Sequence, residues 1–185
     1  MMKKLNGKTT NFSCRMDSET LSILEKESKT KGISINSLIN SVLEHYVSLD
    51  RHSKDIQLIS LTQRAIKKIF EDMSDAEIKK LSNEVGGFVH RELVFLKYGE
   101  LTFDNLMKVI EINSTRYGSV IHTEDNHLHK FCIHHNAGIN FSKFISFIHG
   151  AMTDKLSLRF RITNCDENII CMEISEPLRR HFEKN

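Results

Sequence analysis

The stretch HLHKFCIHHN, residues 127–136, gathers His127, His129, Cys132, His134 and His135, side chains that bind metal ions or move protons. Imidazole nitrogen and thiolate sulfur together suit a soft or borderline transition ion such as nickel, copper or zinc. An extended stretch, however, alternates its side chains between two faces. His127, His129 and His135 then share one side while Cys132 and His134 share the other, so the candidate ligand set His127, His129, Cys132 and His135 is split and structural or surface histidines are expected. A second stretch, TTNFSCRMD at residues 9–17, sorts more cleanly. With a period of two, Thr9, Asn11, Ser13 and Arg15 form a wholly polar face, and Thr10, Phe12, Cys14 and Met16 an opposite, mostly apolar one. The sequence holds no GxGxxG, P-loop, HExxH or GxSxG motif, so no common catalytic chemistry is implied and the protein is not expected to be an enzyme.

The elements that carry these residues belong to a chain of 185 residues, 39% hydrophobic and 27% charged, with one proline: the composition of a folded, helix-rich protein of two domains. No apolar run is long enough to span a membrane, and MMKKLNGK leads into polar residues, not the apolar core of a signal peptide. The cytoplasm is the expected compartment. Cys14, Cys132, Cys165 and Cys171 form no CxxC pair, so reduced thiols are expected in place of a disulfide framework. The net charge of +2 is unevenly placed. Residues 1–15 carry Lys3, Lys4, Lys8 and Arg15 and no acid, and residues 1–54 hold nine Lys/Arg against six Asp/Glu. A basic arm on a near-neutral body points to an anionic partner.

The strand expected at 9–17 runs directly into a helix. Asp17 suits the N-cap and Glu19 the first turn of SETLSILEKESKTK, and Gly32 suits its C-terminal stop. Ser34 then caps a second helix, whose Leu38, Ile39, Val42, Leu43, Tyr46 and Val47 form a wide apolar stripe. One strand and two helices cannot bury that stripe, and a lone strand leaves a row of amides and carbonyls unpaired. A second copy of the chain resolves both: the strands pair antiparallel about a two-fold axis and the helices close a shared core.

In the order strand, Arg-apolar-Asp, helix, Gly-Ile-Ser, helix, the segment FSCRMDSETLSILEKESKTKGISINSLINSVLEHYV resembles the ribbon-helix-helix DNA-binding domain of Arc, MetJ and CopG-type repressors, over residues 9–48. The resemblance implies a two-stranded ribbon laid in the major groove, with Asn11, Ser13 and Arg15 reading bases. Arginine can grip guanine O6 and N7, asparagine can pair with adenine, and serine both donates and accepts. It also implies phosphate contacts at the start of the second helix, from Ser34, Asn36 and the free amides, assisted by Lys3, Lys4 and Lys8. Ile35 and Asn36 stand where many relatives carry Arg and Ser. Nickel-responsive members place a His- and Cys-bearing sensor behind the same kind of head, but their ligand spacing does not map onto residues 127–135.

Beyond the head, the sequence implies a strand at IQLISL, helices at TQRAIKKIFEDM, at SDAEIKKLSNEVGGFVHRELVFLKYG with a Gly-Gly that could loosen it, and at TFDNLMKVIEINSTRYG. Strands follow at SVIHTED and HLHKFCIHH, a helix at FSKFISFIHGAMTDK with Phe141, Phe144 and Phe147 as core, and a hairpin of LSLRFRITN with NIICMEIS. The fold class is therefore α+β: a ribbon-helix-helix head at 1–50 and an α+β domain with an antiparallel sheet at 55–185. The pattern strand-HHNAG-x-x-x-S-helix, followed by the hairpin, is similar to the end of sensor domains related to 4-vinyl reductase and haem-NO-binding proteins. The resulting expectation is a cytoplasmic, homodimeric or higher even-numbered transcriptional regulator that binds double-stranded DNA, with a C-terminal domain that oligomerises or senses a small molecule or metal. The alternatives are an antitoxin-like protein whose C-terminal domain binds a partner protein, a nickel-type metal-responsive regulator, and, last, an enzyme using His127, His129 or His135.

Overall fold

A computed structural model describes the backbone of residues 10–48, 50–52 and 59–176, and the side chains of all of these but 87–89. Lys3, Lys4 and Lys8 of the basic arm lie outside the described residues, as do residues 56–58 of the strand expected at IQLISL. The chain divides into two compact units, Met1–Val47 and Ser48–Asn185. No described helix is long and apolar enough to cross a membrane.

The first unit contains two helices whose ends follow from their caps. The Asp17 carboxylate accepts the Thr20 amide at 2.8 Å and opens α1, Ser18–Lys31, with Glu19 in its first turn. Gly32 adopts a left-handed conformation (φ 64°) and returns the chain, its amide bonding the carbonyls of Lys29 and Ser28. The Ser34 hydroxyl accepts the Ser37 amide at 3.0 Å and opens α2, Ile35–Ser48. Residues 10–17 form no strand in the single chain, contrary to the sequence expectation. Their alternation exposes both faces: Phe12 is 87% exposed, and Asn11, Ser13, Cys14 and Arg15 are exposed as well. Within one copy there is no second strand among the described residues of this unit to complete a ladder.

The second unit is α+β. After a short 3₁₀ turn at Asp50–His52 come α3, Gln63–Phe70, α4, Asp75–Tyr98, and α5, Phe103–Ser114. Then follow β1, Ser119–Asp125, β2, Leu128–His134, α6, Ile139–Lys155, β3, Arg159–Cys165, and β4, Ile169–Ser175. Ile59–Leu61, the described half of IQLISL, form no strand. The Gly-Gly at 86–87 does not interrupt α4, which runs from a Ser74–Glu77 capping box to a left-handed Gly99. Gly86 has a packing role instead, since a Cβ there would stand 2.8 Å from Ile148 Cγ1 on α6.

The four strands are antiparallel in the order β1-β2-β4-β3. The long α6 carries the chain from β2 across to the far edge, and β4 then inserts beside β2. Helices α5 and α6 cover one face of the sheet, and α4 packs mainly on α6 and α5. The period-two burial of β2 and β4 sends Phe131, Ile133, Ile170, Met172 and Ile174 into a core with Leu106, Ile110, Phe141 and Ile145. Phe144 and Phe147 pack against it, as the stripe at 141–147 implies. Each buried side chain of this size stabilises the fold by roughly 1.5–3 kcal/mol relative to exposure, so this face defines the unit.

One expectation is corrected on the other face. Cys132 and Cys171 are directly opposed across β2 and β4, with Cα atoms 4.1 Å apart, and form a disulfide. The sequence separation of 39 residues hid a contact that only the strand order β2-β4 creates. Cys14 and Cys165 are free thiols.

Candidate functional site

In the N-terminal unit Asn11, Ser13 and Arg15 occupy successive alternate positions of one exposed segment just ahead of α1. Arg15 makes no ion pair among the described residues, so its guanidinium fork is available to an external acceptor. Ser34 is engaged at the start of α2, bonding the Ser37 amide and, at 2.8 Å, the Ser37 hydroxyl, while Asn36 is exposed beside it. On α2, Leu38 is buried, but Val42, Leu43, Tyr46 and Val47 are between 49% and 55% exposed. At spacings of one, three and four residues these four line one side of the helix.

The histidines of 127–135 part company in the C-terminal unit. His127 sits in the β1–β2 turn with φ 64°. His129, Phe131 and Ile133 face the core, whereas Cys132 faces the opposite side of the sheet in its disulfide. His135 is fully buried: its Nδ1 accepts the Ala137 amide at 3.0 Å, and its Nε2–H therefore donates to the Ser142 hydroxyl at 2.7 Å. Ser142 in turn donates to the Asp166 carbonyl. Burial pushes the His135 pKa down. With the amides of His135 and Gly138 bonded to the Asn168 and Glu167 carbonyls, the HHNAG-x-x-x-S segment is a clasp joining the start of α6 to the β3–β4 turn. Among the described residues no three His, Cys, Asp or Glu converge as a metal site.

Two histidine arrangements escaped the sequence reading. Glu111 of α5 accepts from His122 Nδ1 at 2.9 Å, and His122 Nε2 lies 2.9 Å from His129 Nδ1. With Nδ1 of His122 donating to the carboxylate, its Nε2 accepts, so His129 Nδ1 donates and a single chain of bonds links the three. The hydrogen bond from His122 holds the Glu111 carboxyl below its usual range, and burial, followed by the neighbouring His122, lowers the His129 pKa. The sequence signal was the inward phase of β1 and β2, which aligns His122 with Phe131 across the register.

The second arrangement joins α4 to α6. His90 and His149 are buried with ring centroids 5.1 Å apart. His149 Nδ1 donates to the Ile145 carbonyl at 2.8 Å, leaving Nε2 buried without a partner. His90 Nε2 faces Asn113 at 3.4 Å, and the Gly86 carbonyl favours its charged form without meeting hydrogen-bond geometry at Nδ1. Burial pushes the pKa down to about 4 for His90 and about 3 for His149. Both are neutral at pH 7 and serve as packed core side chains, a role that nothing in their separate helical contexts announces.

No family model matches the chain, and a search of curated proteins gives no match.

Proposed function

We propose that the protein is a homodimeric, cytoplasmic transcriptional regulator that reads double-stranded DNA through a β-ribbon formed by residues 10–16 of two copies. The observation that carries this reading is the apolar side of α2: Val42, Leu43, Tyr46 and Val47 stand about half exposed in a single copy, in the same unit as an exposed segment whose Phe12 is also open. An apolar helix face of this kind on a unit of some forty residues requires a partner, and a second copy supplies both that partner and a ladder for residues 10–16. The polar face of the ribbon then presents Asn11, Ser13 and Arg15 twice, once per copy, to base edges. The start of α2, with Ser34, Asn36 and its outward amides, would meet a phosphate together with the Lys3, Lys4 and Lys8 arm.

The test is selection from randomised duplexes by the wild type and by Arg15→Ala, each at two salt concentrations. Selective binding that weakens steeply with salt, with a loss of about 1–3 kcal/mol and of discrimination at one position in the variant, is the expected result. Non-selective binding, or none, would reduce the N-terminal unit to a dimerisation module.

A second reading concerns the other unit. Val85, Phe95 and Leu96 are exposed along α4, which supports a protein-binding, antitoxin-like role for the C-terminal unit. Co-purification of a stoichiometric partner that is lost in Phe95→Asp would favour it over ligand sensing.

A further inference from the structure

We propose that Cys132 and Cys171 form a reversible thiol–disulfide exchange site on the open face of the C-terminal sheet, with low-molecular-weight thiols and their disulfides as its reactants. This site stands whether or not the N-terminal unit binds DNA.

Cys132 and Cys171 are paired residues of neighbouring antiparallel strands, and a Cα separation of 4.1 Å marks the closely spaced kind of pair, in which side chains on one face come nearest. The ladder therefore holds the two sulfurs together whether or not they are bonded.

Access follows from the face they occupy. Helices α5 and α6 cover the opposite side, where Phe131, Ile133, Ile170 and Met172 are buried. Both cysteines are partly exposed, flanked in the register by Ile121, 60% exposed, and by exposed Asn164. A thiol from solvent can approach this face, unlike a bond sealed in the core.

The fold does not depend on the bond. β2 and β4 are aligned from Leu128↔Ser175 to His134↔Ile169 and anchored by the apolar side chains beneath them, so the sheet persists when the sulfurs separate. That makes two folded redox states, which a switchable site requires.

The local charge assists attack. One step along the same face, Glu173 is clasped by Lys130 at 3.3 Å and by Arg161 at 2.7 Å, a trio with one net positive charge. Nearby positive charge favours thiolate, the reactive form. The remaining thiols do not compete. Cys165 pairs with inward-facing Ile170 and so lies on the covered side, where burial raises its pKa, and Cys14 belongs to the other unit.

In the exchange, an external thiolate attacks one Sγ. A new S–S bond forms to that sulfur, the Cys132–Cys171 bond breaks, and the departing cysteine leaves with the electron pair and takes up a proton. A second external thiolate then attacks the external sulfur of the mixed disulfide and releases the second cysteine. The sum is one protein disulfide and two thiols giving two cysteine thiols and one external disulfide, and oxidation is the reverse.

The experiment equilibrates the full chain in glutathione buffers of graded reduced-to-oxidised ratio, quenches with acid, alkylates, and maps the labelled cysteines by mass spectrometry, with circular dichroism recorded at each ratio. The expected result is a single two-electron transition at Cys132 and Cys171 together, with Cys14 and Cys165 never joining the intramolecular bond and the spectrum folded throughout. Cys171→Ser should leave Cys132 without an intramolecular partner at every ratio, and the wild-type titration stands on its own if that variant folds poorly. The proposal is overturned if Cys132 and Cys171 stay alkylatable at all ratios, if the bond opens only in denaturant, or if reduction unfolds the chain.

Discussion

The two units treat apolar side chains in opposite ways. In the C-terminal unit Ile110, Phe131, Ile133, Ile145, Ile170 and Ile174 are wholly buried, whereas on α2 Val42, Leu43, Tyr46 and Val47 keep about half their surface open and Phe12 nearly all of it. The first pattern belongs to a structure complete in one copy. The second is what the proposed pairing of two copies would complete. Capping is equally regular in both, with Asp17 and Gly32 bounding α1 as Ser74 and Gly99 bound α4, so the contrast lies in tertiary burial and not in helix formation.

The largest effect that would sharpen this contrast is a core deletion in the C-terminal unit. Phe131→Ala should cost about 3–5 kcal/mol in chemical denaturation, at a position where the single copy already supplies every contact. A loss below about 1 kcal/mol would mean that this core is less tightly packed than its burial implies.

Acid should come next, again selectively for the C-terminal unit. Burial holds His90 at about 4 and His149 at about 3, below the ordinary value of 6.5. The unfolded chain therefore binds protons first as pH falls below 6.5, and stability that is fully present above that pH drains away down through the folded values, at roughly 1.4 kcal/mol per pH unit for each histidine. Denaturation midpoints measured from pH 7.5 to 5 should fall accordingly, and His149→Gln should flatten the slope. An unchanged slope would contradict the neutral buried pair.

A smaller effect probes the N-terminal unit. Asp17→Ala removes the carboxylate that accepts the Thr20 amide and should cost about 1 kcal/mol. If folding of this unit is linked to pairing, that loss appears as weaker self-association and as a melting temperature that depends more steeply on concentration. A loss independent of concentration would break the link.

How much was legible follows the same division. β1, β2, α6 and the β3–β4 hairpin could be read because period two gives way to helical spacing at Gly138 and back again after Lys155. The caps at Asp17 and Ser34 and the helix start at Ser74 were equally local signals. The Gly-Gly in α4 misled because its cause is Ile148 on a distant helix, and the disulfide was missed because Cys132 and Cys171 meet only through the inserted order of β4. For the candidate site, alternation groups Asn11, Ser13 and Arg15 on one face only of an extended strand that residues 10–17 do not form in one copy, while the Glu111–His122–His129 chain needed α5 laid over β1 and β2 before it could be seen. The strand expected at 9–17 is not formed by the described residues 10–17, because this unit offers them no second strand among its described residues.

Sedimentation equilibrium of the full chain, with wild type compared to Leu43→Asp, a substitution on the exposed side of α2, tests the proposed pairing of two copies. Pairing through α2 gives a dimer or higher even-numbered assembly for the wild type, and for the variant a loss of association at the α2 face with the C-terminal unit still folded by circular dichroism. A wild-type protein that stays monomeric across the accessible concentrations, or a variant that associates as the wild type does, would contradict it.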